Sequence, residues 1–81
     1  AVVKVYPVPA SDVVNIVLED EMVSKNTIIS IINSHGKVVQ AQRSMGSRSI
    51  QLNVGRLLPG FYIVRIGSRN KVVNKSITIV R

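Results

Sequence analysis

Apolar residues recur at every second position along most of this chain, and valine and isoleucine supply most of them. A period of two places neighbouring side chains on opposite faces of an extended strand, and β-branched side chains pack well on a pleated sheet. The 3.6-residue period of an α-helix is not seen. The pattern therefore predicts strands at residues 2–6, 13–18, 27–33, 37–43, 48–53, 61–66 and 72–80.

The segments between these strands contain the residues that favour turns. Proline, glycine, asparagine and serine cluster at residues 7–9, 24–26, 33–36, 45–47, 58–60 and 67–70. Pro fixes φ, Gly accepts positive φ, and Asn or Ser side chains bond to nearby backbone. About seven short strands at this spacing predict an all-β fold, an immunoglobulin-like antiparallel β-sandwich. A chain of 81 residues forms one domain.

The stretch LLPGFYIV, residues 57–64, has the pattern of a corner where the chain crosses between two stacked sheets. Leu57 is expected to close one end of the core, and Gly60 to make the turn with the proline before it. Tyr62 would bury its ring and turn its hydroxyl back to a backbone group. Tyr62 is therefore a structural residue in this interpretation.

Strict alternation also predicts an apolar patch on the outside of the sandwich. If Tyr62 points inward, Phe61 and Ile63 point outward, and the same reasoning places Ile28 and Ile32 outside on strand 27–33. These two strands are usually neighbours in one sheet of such sandwiches. An exposed patch of this kind typically marks a docking surface. The alternative is that a loop covers these residues or that their face is assigned wrongly.

The last strand contains a conflict. Ile77 and Ile79 are expected to point inward, yet alternation puts Lys75 on the same face. Either a β-bulge changes the facing, or the lysine lies at a sheet edge and reaches out to water.

The net charge of +7 is distributed unevenly, because all four acids occur at Asp12, Glu19, Asp20 and Glu21 and every later charge is basic. This balance favours anionic partners such as nucleic acid, lipopolysaccharide or an acidic protein surface. The alternative is that the charges only keep a small β domain soluble and protect its edges.

No combination of residues suggests catalysis, a metal or a cofactor. The chain has no cysteine and a single histidine, His35, which lies in a turn and is expected to be solvated. The acidic residues lack calcium-loop spacing and are expected to form a solvated turn. Three aromatic residues are too few for a nucleic-acid surface, and no apolar run approaches the roughly 18 residues of a membrane span.

Read together, these segments resemble the C-terminal sorting domains of the type IX secretion system, type A. The motifs that carry the resemblance, in order, are VYPVPASD at 5–12, IxIxNxxGKVV at 29–39, IxL at 50–52, LxxGxYxVxI at 57–66 and KxIxI at 75–79. Val8 stands where the family usually has Asn, and Asn33 where it has Asp; the asparagine keeps an oxygen for the turn.

The resemblance implies a non-catalytic domain at the end of a larger exported protein of Bacteroidetes-type bacteria, and the chain's start at Ala1 favours an excised module. Its implied partners are the outer-membrane components of type IX secretion, a sortase that commonly removes it, and its own cargo domain. Anionic lipopolysaccharide, to which the sortase can join the cargo, is a further implied partner. It would pass through the periplasm to the cell surface or extracellular space. The alternative is a fibronectin-like accessory module that binds glycan or the cell surface.

The same resemblance assigns roles to particular residues of this chain. Recognition is expected on the last strand, with Lys75 and Arg81 as charged contacts, at the residues Lys71, Lys75, Ser76, Ile77 and Arg81. Structural roles are expected for Pro7, Pro9, Gly36, Leu57, Gly60 and Tyr62. The alternative for the two charged contacts is that they are solvated ends of a strand.

Overall fold

The computed structural model describes residues 3–69 and 71–80 and contains seven strands in that part of the chain. The strands are β1 (Lys4–Tyr6), β2 (Val13–Val17), β3 (Ile28–Asn33), β4 (Val38–Arg43), β5 (Ser49–Asn53), β6 (Gly60–Gly67) and β7 (Val72–Ile79). Each predicted strand is present, with ends that differ by one or two residues. Residues 19–21 were expected to be a simple turn; Asp20–Met22 form one turn of 3₁₀ helix.

The strands form two antiparallel sheets. One sheet has three strands in the order β1-β2-β5, and the other has four in the order β4-β3-β6-β7. The pairing of β3 with β6, from Ile28 opposite Gly67 to Asn33 opposite Tyr62, confirms that these two strands are neighbours. The predicted immunoglobulin-like β-sandwich is confirmed.

The core lies between the two sheets and is built by alternation along each strand. Its strand residues, all at most 5% exposed, are Val14, Ile16, Ile29, Ile31, Ile50, Leu52, Val64, Ile66, Ile77 and Ile79. Burial of each such side chain contributes about 1.5–3 kcal/mol relative to exposure. Since the chain has no cysteine, this apolar burial is its main source of stability.

Ala10, in the connection between β1 and β2, ties this connection to the last strand. Its N–H donates to the carbonyl oxygen of Thr78 at 2.9 Å, and its own carbonyl accepts from the N–H of Val80 at 2.8 Å. The result is a parallel bridge to Ile79 in the other sheet. Ala10 is fully buried, so a larger side chain would not fit without displacing its neighbours.

The corner at residues 57–62 has the geometry that the sequence predicts. Tyr62 is 8% exposed, and its hydroxyl donates to the carbonyl oxygen of Leu58 at 2.6 Å. Leu57 is partly buried and packs against the core. Gly60 has φ +150°, a conformation that side chains with a Cβ rarely adopt.

The turn between β3 and β4 is stabilised by one side chain. The Oδ1 atom of Asn33 accepts hydrogen bonds from the N–H groups of His35, at 2.9 Å, and Lys37, at 3.0 Å. Gly36 between them has φ +82°, which glycine adopts at little cost. Asn33 therefore supplies the turn-forming oxygen that the sequence predicts.

The structure resolves the conflict at Lys75 in favour of an edge lysine. The β6–β7 register is continuous, and Lys75 lies opposite the buried Val64, so it occupies the inner face. Lys75 is nevertheless exposed, because β7 is the outer strand of its sheet. An inward charge on an edge strand opposes pairing with the edge of another molecule.

We predict that Tyr62→Phe lowers the free energy of unfolding by about 1 kcal/mol, because the part-buried hydrogen bond from the tyrosine hydroxyl to the Leu58 carbonyl is lost. Urea denaturation followed by circular dichroism measures this change. Tyr6→Phe is the matched control: Tyr6 is 48% exposed, and its substitution should change stability by less than about 0.5 kcal/mol. Equal effects of the two substitutions would contradict the structural role of Tyr62.

We also predict that Lys75→Val leaves the domain folded but makes it self-associate, since the charge that protects the β7 edge is removed. Sedimentation velocity over a range of concentrations should show association that increases with concentration. Lys37→Val, in the exposed β3–β4 turn, is the control and should remain monomeric. If both variants sediment like the parent chain, Lys75 has no protective role.

Candidate functional site

The outer edge of β7 presents backbone groups that no other strand covers. In an antiparallel pair, the N–H and C=O of one residue point to the same side, and successive residues alternate. Thr78 and Val80 point to the outer side, where they bond to Ala10. Val72, Asn74 and Ser76 therefore point outward too, and the part of the chain that the structure describes provides no backbone partner for them there.

The β1–β2 connection does not continue along this edge. Ala10 bonds to β7, but residues 7–9 before it form bends, and the rings of Pro7 and Pro9 fix φ there. The chain diverges from β7 here and leaves an open groove of about 740 Å³ between β1 and β7. Lys75 and Ser76 line this groove on one side, and Lys4 and Tyr6 on the other.

The groove is cationic. Lys4 and Lys75 are exposed, and neither forms an ion pair within residues 3–69 and 71–80. Its lining contains no acidic side chain. A partner segment with acidic residues would therefore find complementary charge beside open backbone hydrogen-bonding groups.

Lys71, another predicted recognition residue, is engaged within the domain. Its Nζ lies 2.8 Å from Oε2 of Glu21 and 3.6 Å from Oε1 of Glu19. The hydrogen bond from Lys71, with its positive charge, lowers the pKa of Glu21, and the hydrogen bond to Glu21 raises the pKa of Lys71. Lys71 is thus less available to a partner than Lys75.

Of the remaining two recognition candidates, the structure describes only Ile77. Ile77 is 1% exposed and belongs to the core, so its side chain does not contact a partner of the folded domain. Arg81 lies outside the described residues. Deletion of residues 77–81 would remove two core isoleucines and the Val80 bond to Ala10, so it would unfold the domain and not report on contacts.

The sequence suggested that the acidic segment, residues 19–21, is a solvated turn, but its side chains also form ion pairs within the domain. Asp20 forms an ion pair with Arg48, and Glu21 forms one with Lys71. These pairs join the 3₁₀ turn to the start of β5 and to the residue before β7, and both are exposed, so each contributes little to stability.

All four residues of the predicted outer apolar patch lie on the outer face, but they do not form one exposed surface. Ile32 is only 6% exposed, because Val38 and Ile63 lie opposite it on the two neighbouring strands. Ile28 is 43% exposed, as expected, but it is two rows away, opposite Gly67, and lines a different hollow. Phe61 and Ile63 are exposed as expected, at 73% and 41%.

Val38 is the member of this surface that the sequence pattern did not indicate. It is 51% exposed and lines one hollow together with Ile32, Phe61 and Ile63. The pairing of β3 and β4 shifts register between Ile31 and Ile32, and this irregularity places Val38 opposite Ile32. Nothing in the alternation of residues 37–43 reveals such a shift.

The described residues contain no group that suggests catalysis or metal binding. Nowhere among them do three or more His, Asp or Glu side chains come together around a possible metal position. His35 is exposed in the β3–β4 turn, where its backbone N–H bonds to Asn33. No helix among these residues is long and apolar enough to cross a membrane.

Comparison with solved structures supports the fold. The crystal structure of CopC from Methylosinus trichosporium OB3b superposes with a TM-score of 0.50 at 21% identity, covering 96% of this chain and 84% of that one. At this identity the likeness concerns the sandwich architecture alone. No curated protein sequence matches the chain.

Comparison with protein families gives a match over nearly the whole chain. Residues 4–80 match the family described as secretion system C-terminal sorting domain. The matched range includes all seven strands, the corner at Tyr62 and the β7 edge. The chain therefore belongs to the family of C-terminal sorting domains of the type IX secretion system.

Proposed function

We propose that this domain is a non-catalytic signal that directs an attached protein through type IX secretion, and that the outer-membrane machinery recognises it in its folded form. The observation that carries the proposal is the family match over residues 4–80. The domain would take its cargo from the periplasm to the cell surface or the extracellular space.

Recognition on the β7 edge is the physical part of this proposal. A partner strand placed beside Asn74 and Ser76 would complete hydrogen bonds that the domain leaves open, and Lys75 would pair with an acidic side chain of that strand. Main-chain bonding depends on edge geometry more than on side-chain identity. A receptor that binds in this way can therefore accept many sequences that share one fold.

The proposal extends to the fate of the domain after transport. We infer that residues 1–81 are the terminal module of a larger exported protein, and that a surface sortase removes the module and joins the cargo to anionic lipopolysaccharide. A net charge of +7 is compatible with an anionic environment.

We predict that residues 1–81 fused behind a periplasmic reporter move that reporter out of the cell in a type IX host. The measurement is the fraction of reporter activity in the medium and on the cell surface. An isogenic host without the secretion machinery is the control and should retain the reporter in the periplasm. Retention in both hosts would contradict the sorting function and favour an accessory binding module.

Within the same fusion, Ser76→Pro should reduce export about threefold to tenfold, because it removes an outward N–H from the β7 edge. Ala41→Pro is the matched control. Ala41 lies in β4, at the opposite edge of the same sheet, in a pair that points its N–H outward. If both variants fold, as circular dichroism can show, and are exported equally, recognition does not use the β7 edge.

A further inference from the structure

The outer face of the four-stranded sheet carries a hollow that combines an apolar floor with one oriented cation. The hollow has a volume of about 470 Å³. Ile32 forms its buried floor, Val38, Phe61 and Ile63 form its exposed sides, and Arg65 lies at one end. It is on the opposite side of the sheet from the core, and it shares one lining residue, Ser76, with the groove beside Lys75.

Arg65 is held in place within this surface. Its Nε donates to Oδ1 of Asn74, its cross-strand neighbour on β7, at 3.2 Å. The two terminal guanidinium nitrogens have no ion-pair or hydrogen-bond partner among the described residues. A guanidinium fixed through Nε still presents a planar pair of donors, which suits a carboxylate.

The charge around the hollow selects the partner. None of the residues in β3, β4, β6 and β7 is acidic, and the two charged residues that these strands place on the outer face, Arg43 and Arg65, are basic. A second copy of the domain would bring like charges together in a two-fold contact, so self-association through this face is disfavoured. An acidic partner is favoured.

We propose that this hollow binds a segment of another protein in which a large apolar side chain lies next to an Asp or Glu. The apolar side chain would cover Ile32 and pack against Phe61 and Ile63, and the carboxylate would pair with Arg65. The inference goes beyond the sorting function, since it concerns a second contact surface and stands whether or not the β7 edge is the export signal.

The charge of the hollow favours a protein segment over a lipid. The β3–β4 turn, at Asn33 and Ser34, forms part of the wall of the hollow. Electrostatic attachment to anionic membranes typically uses clusters of about 4–8 basic residues, whereas this hollow has one.

The test is selection from a displayed library of random linear peptides against the purified chain. We expect the enriched peptides to contain an aliphatic or aromatic residue within two positions of Asp or Glu. For a selected peptide, Arg65→Gln should weaken the Kd about threefold to tenfold and Ile63→Ser about tenfold. Arg43→Gln, on the same face but away from the hollow, should change it by less than about twofold.

A second measurement links Arg65 to the carboxylate. Replacing the Asp or Glu of the peptide with its amide should weaken binding to the parent chain. The same replacement should leave binding to the Arg65→Gln variant unchanged, because that variant has already lost the partner of the carboxylate; the four affinities form a double-mutant cycle. Three results would overturn the proposal. They are enriched peptides that lack Asp and Glu, equal effects of Arg65→Gln and Arg43→Gln on peptide binding, and dimerisation of the domain through this face. Binding to phosphatidylglycerol vesicles that Arg65→Gln abolishes, with no peptide enriched, would also overturn it and identify a lipid surface.

Discussion

The two hydrogen bonds between Ala10 and β7 are the contact on which the arrangement of this domain depends. They join the β1–β2 connection of one sheet to the last strand of the other, with N···O distances of 2.9 and 2.8 Å. Ala10 is fully buried and belongs to the core cluster, so the link packs against the apolar interior. It also covers the outer edge of β7 at Thr78 and Val80, so that the open part of the edge begins at Ser76.

Because of this link, the two ends of β7 differ in how they are held. The C-terminal part of β7 is fixed by Ala10 and by the burial of Ile77 and Ile79. The N-terminal part is anchored on one side by β6, and on the other it presents open backbone and Lys75. A strand that is rigid yet open on one edge is suited to recognition, since a partner can add to it without ordering it first. A charged side chain on the inner face limits unwanted pairing with other edges.

Most of the fold could be predicted from the sequence, because its signals are local. Alternation identified the strands, turn residues identified the breaks, and the LxxGxY spacing identified the corner at Tyr62. The family followed from the order of the motifs. The expectation that strands 27–33 and 61–66 are neighbours in one sheet came from the usual topology of such sandwiches, and the pairing of β3 with β6 confirms it.

The surface was harder to predict because its properties depend on register and on contacts distant in sequence. The burial of Ile32 and the position of Val38 follow from a register shift that leaves no trace in the alternation. Lys71 pairs with Glu21, which is 50 residues earlier in the chain. Ile77 was assigned to recognition from its family position, whereas its side chain is needed by the core. Only the choice at Lys75 was correctly reduced to two alternatives, and the edge position of β7 decides between them.

Native-state hydrogen exchange of the backbone amides tests the central claim, an outer edge of β7 that is open up to Ser76, most directly. The amides of Asn74 and Ser76 point outward and should exchange rapidly, while those of Lys75 and Ile77, which face β6, and of Val80, which bonds to Ala10, should be protected. Protection of Asn74 and Ser76 equal to that of Ile77 in the isolated domain would mean that the edge is already covered, and would contradict the account.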